Sequence, residues 1–193
     1  MKFTELNAEQ QARAIEVHRD INLDDNSIWC DFIQERFHSE LNEFGFEEVE
    51  SRYSGFCSQG DGASFTADNV DIEKFLRKTK RWTHYRSLHE FIRINDITCI
   101  VVRDNGSRYV HYNTTEATLS GNWYIDLSPK QESLYTELEK EIDDFITEKG
   151  QEYYSELDKH YYHLLEDEQV KETIIANEME FEEDPRESCV TYI

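Results

Sequence analysis

Ile97-Thr-Cys-Ile-Val-Val-Arg103, Asp104-Asn-Gly-Ser107 and Arg108-Tyr-Val-His-Tyr112 follow one another without a gap. Their reading decides the fold. The first run is rich in β-branched residues and the third is aromatic-rich, both strand-forming compositions. Asn-Gly between them is the preferred pair for a tight hairpin turn, because both residues tolerate positive φ. This spacing predicts a hairpin near 97–113. Upstream, residues 47–57 read as a strand entering a glycine-punctuated segment, and Ala63 to Ala67 as its return. A second hairpin near 47–67 makes an antiparallel sheet of about four strands.

Helical patterns surround these strands. Asn7-Ala-Glu-Gln10 is a capping box that opens a helix. Trp29, Ile33, Phe37, Leu41 and Phe44 recur at four- or three-residue steps and make one apolar stripe. Ser27 caps that helix and Gly45 stops it. Residues 71–78 and 84–93 read as short helices. Ser128-Pro129-Lys-Gln131 then sets a cap, a proline at the first helical position and a glutamine at the third. Leu134, Leu138, Ile142, Phe145, Tyr153, Leu157, Tyr161 and Leu164 continue the period, with Gly150 as a candidate break. Unbroken, this helix runs on the order of 55 Å at 1.5 Å per residue. A shorter helix spans Glu168 to Asn177. The order predicts an α+β fold, with N-terminal helices and the long C-terminal helix packed on the sheet. We read residues 1–193 as a single domain, containing a helical acidic region at 128–177 and a tail at 185–193.

Composition bounds the function. Apolar residues make up 38% and aromatic residues 13% of the 193, enough for a core despite the charge. No run of about 18 apolar residues predicts a membrane helix, and Met1 to Asn7 has no apolar signal region. Cys30, Cys57, Cys99 and Cys189 show no C-x-x-C spacing, which argues against zinc and gives no disulfide framework. A reducing cytoplasm is the expected location. The net charge is −22. Residues 1–70 carry 15 acids and 5 bases, 71–110 carry 5 acids and 9 bases, and 131–184 carry 19 acids and 4 bases. A basic island thus sits between acidic flanks, an arrangement that repels nucleic acid and attracts basic partners.

Four features are candidates for chemistry. Glu137, Glu141, Asp144, Glu148 and Glu152 recur at helical steps. Like charges at that spacing repel, so the row suggests an acidic, partner-binding face that resembles a phosphate backbone. Arg77, Lys78, Lys80 and Arg81, with Trp82, His84, Tyr85 and His89 interleaved, have the chemistry of a single-strand platform. Salt bridging to the chain's own acidic helices, or to those of a second copy, is the simpler reading. Glu156, His160 and His163 share a helix face with metal-ligand spacing, but one helix rarely supplies a whole site, and we expect no metal and no cofactor. Tyr53, Ser54, Gly55, Phe56, Cys57, Ser58, Gln59, Gly60, Asp61 and Gly62 form a glycine-rich loop. It matches neither phosphate-binding pattern nor a calcium loop. A turn in which Gly60 and Gly62 supply positive φ and Asp61 bonds its own backbone is the simpler account. Cys57 has no local base to make it a nucleophile.

Tyr53-Ser-Gly-Phe-Cys-Ser-Gln-Gly-Asp-Gly-Ala-Ser-Phe65 resembles a segment of a family of small bacteriophage proteins. Leu164-Leu-Glu-Asp-Glu-Gln-Val-Lys-Glu-Thr-Ile-Ile-Ala-Asn-Glu-Met-Glu-Phe-Glu-Glu-Asp184 is similar to a second segment, in the family's order. The likeness covers most of residues 30–184. Cys57 stands where that pattern often has Trp, and Ser64 where it often has Cys. The resemblance implies an accessory protein acting in the cytoplasm of the infected host, and some members carry antitoxin-like labels.

Together these readings lean away from an enzyme. They favour a protein whose acidic face binds and blocks a host defence or nucleic-acid-handling factor, without itself binding nucleic acid or membrane. A small enzyme or ligand-binding protein using the 53–65 loop is one alternative. A structural, homodimeric or antitoxin-like interaction protein is another.

Overall fold

A computed structural model describes residues 1–23, 28–104, 106–122 and 125–182. In chain order these form α1 (Ala8–Val17), α2 (Asp31–Glu43), β1 (Phe46–Tyr53), β2 (Ala63–Val70), α3 (Ile72–Lys78), α4 (His89–Ile94), β3 (Thr98–Arg103), β4 (Thr115–Ser120), α5 (Pro129–Leu164) and α6 (Asp167–Ala176), with short 3-10 turns between. The fold is α+β, with one antiparallel sheet in the order β1-β2-β3-β4. Ser27, Asn105, Cys189, the 185–193 tail and the last two residues of the second resemblance segment lie outside the described residues. Contacts divide the chain into two compact units, residues 32–156 and residues 1–31 with 157–193.

The larger unit holds the sheet, and aromatic rings build its core. Phe37 stacks on Tyr153 at 4.3 Å and meets Phe65 edge-on at 5.4 Å. Phe46 contacts Phe65, Phe75 and Phe145, and Phe75 meets Phe145 at 5.3 Å. Edge-to-face and offset pairs of this kind add about 0.5–1.5 kcal/mol each beyond the burial of their area. The rings come from α2, β1, β2, α3 and α5, so α2, α3 and α5 cover one sheet face. Ala67 opposes Val101, Val101 opposes Ala117 and Cys99 opposes Leu119, and all five are buried on that face. Leu138, Ile142, Ile146 and Tyr153 of α5 are buried with them. The carboxylate of Asp143 accepts the Ala117 amide at 2.6 Å and so occupies a backbone donor of the edge strand β4.

Gly150 does not break α5. A Cβ there would lie 2.6 Å from Tyr112 Cβ, closer than side chains pack, so glycine allows the helix to approach the β3–β4 connection.

That connection corrects the hairpin reading. Residues 108–112 are not a strand; the partner of β3 is β4, three residues beyond them, with Arg103 opposite Thr115 and Thr98 opposite Ser120. Asp104 N donates to Thr114 O at 2.8 Å, so the strands are closed by a loop of some ten residues rather than by a tight turn. The aromatic pattern of 108–112 reflects packing on a different neighbour, the glycine-rich loop.

The smaller unit closes a second core from Phe3, Leu6, Ala14, Ile15, Val170, Ile174 and Met179. Asn7 and Gln10 form the predicted capping box of α1, each side chain bonding the other's backbone amide at 3.0 Å. Met1 and Phe181 exchange two backbone bonds of 2.8 Å, which tie the start of the chain to the segment after α6. Arg19 donates to Leu165 O at 2.9 Å, and Asn22 donates to Leu164 O at 3.0 Å, covering carbonyls left open at the end of α5.

Candidate functional site: the acidic row of the long helix

Leu138, Ile142, Ile146 and Tyr153 of α5 are buried and Asp143 reaches the edge strand β4, while Glu137, Asp144, Glu148 and Glu152 are exposed. The row from Glu137 to Glu152 meets two different environments. Glu141 is four-fifths buried and accepts hydrogen bonds from Arg81 Nε at 2.9 Å and Tyr85 Oη at 2.7 Å. Burial, then the carboxylate beside it, pushes the Tyr85 hydroxyl well above its usual range, so it remains a donor. Bonding to Glu141 likewise holds the Arg81 guanidinium above its ordinary value. His84 Nε2 lies 3.1 Å from Glu137. These two acids are therefore occupied by the segment that follows α3.

Beyond Glu141 the surroundings change. Among the described residues, Asp144 pairs only with Lys140 of its own helix. Glu152 pairs with Lys149 at 2.7 Å, and Lys149 also reaches Glu40 of α2 at 2.6 Å. Glu148 is exposed and makes no ion pair among the described residues. Asp144, Glu148 and Glu152 are thus exposed carboxylates whose ion-pair partners among the described residues are Lys140 and Lys149.

The basic island is largely spent inside the protein. Arg77 pairs with Glu73 at 2.7 Å and lies 4.3 Å over the Trp82 ring. Lys78 pairs with Glu43 at 2.6 Å, which holds the Glu43 carboxyl below its usual range. Lys74 donates to Asn42 O at 2.6 Å. Lys80 lies at the end of α3 with φ 62, and Arg81 N donates past it to Leu76 O at 2.8 Å. This left-handed closure sends Lys78 and Arg81 toward different carboxylates.

The glycine-rich loop is closed on itself. Ser54 N donates to Gly62 O at 3.1 Å, and Gly62 N donates to Ser54 Oγ at 3.2 Å. Asp61 Oδ2 accepts the amides of Cys57 at 2.8 Å and Ser58 at 2.6 Å, so its charge is used on neighbouring backbone. Positive φ falls on Gly55, at 140°, and not on Gly60 or Gly62 as the sequence reading had it. Gly62 instead permits close approach, since a Cβ there would stand 2.8 Å from Val110 O. Phe56 stacks between Tyr53 and Tyr154, both at 5.6 Å. Gln59 and Cys57 are exposed.

The metal-spaced residues are each engaged elsewhere. Glu156 pairs with Arg36. His160 donates to Trp29 O at 3.1 Å and stacks on that ring. His163 Nδ1 lies 3.2 Å from Glu166. Among the described residues, no group of three His, Cys, Asp or Glu side chains could hold a metal ion.

A family model described as a domain of unknown function, DUF8835, matches residues 29–167. The chain belongs to this family. The DUF8835 region takes in the whole sheet, the glycine-rich loop, the basic island and α5. No curated protein and no solved structure matches the chain. Among the described residues, no helix is long and apolar enough to cross a membrane.

Sequence reading did not single out Tyr85 and Glu141 as a pair, nor the stack of Trp82 on His89 at 3.4 Å. The interleaving of rings and cations in residues 77–89 was the available signal. It does not say which carboxylate each cation meets.

Proposed function

We propose that this DUF8835 protein is a non-enzymatic bacteriophage accessory protein that binds and inhibits a basic host factor in the host cytoplasm. The observation that carries the reading is the outward row Asp144, Glu148 and Glu152 on a chain of net charge −22. Fixed carboxylates at helical spacing present a field like that of a phosphate backbone, which suits the surface of a defence or nucleic-acid-handling protein. The resemblance of the Tyr53–Phe65 segment to phage proteins supports the setting. The alternative use of that loop as an anion or substrate site is disfavoured, because Asp61 is committed to the Cys57 and Ser58 amides.

Deleting the gene from a phage that carries it, and plating on hosts with and without defence systems, tests the setting. The expected result is impaired growth on defended hosts only, together with recovery of a basic host protein on the tagged chain. Unimpaired growth on every host, with no partner recovered, contradicts the proposal.

A further inference from the structure

A cavity of about 410 Å³ opens between α3, the connection after it and α4. That volume lies in the range of small-molecule sites, about 300–1,000 Å³. Buried Ile72 and half-buried Ile92 supply apolar lining, beside the stacked rings of Trp82 and His89. Burial holds the His89 imidazole below its usual pKa, so this wall is neutral at pH 7. Three exposed charged residues complete the lining: Glu73, Glu90 and Arg93.

Their pairing differs. Glu73 is already matched by Arg77 at 2.7 Å. Glu90 and Arg93, three residues apart on α4, have no ion-pair partner among the described residues. The cavity therefore offers one open carboxylate and one open guanidinium above an apolar surface. A simple anion gains at Arg93 but meets Glu90 and the field of a chain carrying −22. A simple cation gains at Glu90 and meets Arg93. A ligand bearing both charges is matched at both, and arginine's planar fork suits a carboxylate.

We propose that this cavity binds a free α-amino acid with an aromatic side chain. Its carboxylate would lie on Arg93, its ammonium on Glu90, and its ring against Ile72, Ile92 and the edge of Trp82, whose faces are taken by His89 and Arg77. The site is separate from the acidic row of α5, so neutralising that row leaves it intact.

Isothermal titration of the full chain with L-phenylalanine tests the inference, with phenylacetate and phenethylamine as single-charge controls. The expected result is saturable 1:1 binding of L-phenylalanine, at least tenfold tighter than either control. Arg93→Gln and Glu90→Gln should each weaken it by tenfold or more with unchanged melting temperatures, since both side chains are exposed. Absence of saturable binding overturns the inference. So does phenylacetate binding as tightly as the amino acid, or undiminished affinity in both variants.

Discussion

The two ends of the acidic row on α5 carry the same residue types at the same spacing and have different fates. At Glu137 and Glu141, carboxylates meet a histidine, an arginine and a tyrosine from the segment after α3. At Asp144, Glu148 and Glu152, only lysines at the edges answer them among the described residues. The first end is part of how the molecule holds together. The second adds repulsion and little stability, because exposed ion pairs contribute roughly 0–1 kcal/mol. Charge spacing along a helix therefore does not reveal use; what the chain packs against it does.

Substitutions can break that comparison. Glu141→Ala should destabilise by about 2 kcal/mol in chemical denaturation, because it strips a charged partner from the buried Tyr85 hydroxyl. Glu148→Ala should stay within about 0.5 kcal/mol of wild type, as surface changes do. Equal losses at the two positions would erase the distinction. Gly150→Ala probes the inward side of the same helix. Alanine ordinarily gains up to about 1 kcal/mol over glycine in a helix. Here overpacking against Tyr112 Cβ should outweigh that gain, for a net loss of about 1–2 kcal/mol. A stabilised variant would show that α5 does not approach the 104–114 loop so closely.

The glycine-rich loop sharpens the contrast, since Asp61 resembles Glu141 more than Glu148. Asp61→Ala should cost about 1 kcal/mol by freeing the Cys57 and Ser58 amides, with faster hydrogen exchange at those two amides as the direct readout. Lys80→Gly should act in the opposite direction. Glycine relieves the left-handed φ of 62° at an exposed position, which predicts a gain of about 0.5 kcal/mol and a melting temperature a few degrees higher.

Much of the fold was readable because its signals are local. Asn7 and Gln10 lie three residues apart, and the α2 stripe from Ile33 to Leu41 repeats every turn. Ser128, Pro129 and Gln131 sit together, with Ser128 donating to the Gln131 side chain at 2.7 Å. The misreadings arose where a partner was distant. Arg108 to Tyr112 has strand-like composition, yet its neighbour is the glycine loop some 50 residues earlier, and β4 takes the place beside β3. Lys80, Asp96 and Glu178 end helices with positive φ although none is glycine or asparagine, so the usual stop signal was missing. The candidate site was half legible. The acidic row and the basic island both stand out in the sequence, but Arg81 and Glu141 are 60 residues apart, and only folding shows which acids that island neutralises.

The central claim is that Asp144, Glu148 and Glu152 form the partner-binding face. The most direct measurement compares the wild-type chain with Asp144→Asn/Glu148→Gln/Glu152→Gln in capture from host lysate, with duplex DNA as competitor. The account predicts a basic protein that wild type retains, that added DNA or about 0.5 M salt displaces, consistent with screening, and that the triple variant fails to hold while melting like wild type. Capture of the same protein by the triple variant, undisturbed by DNA, would contradict it.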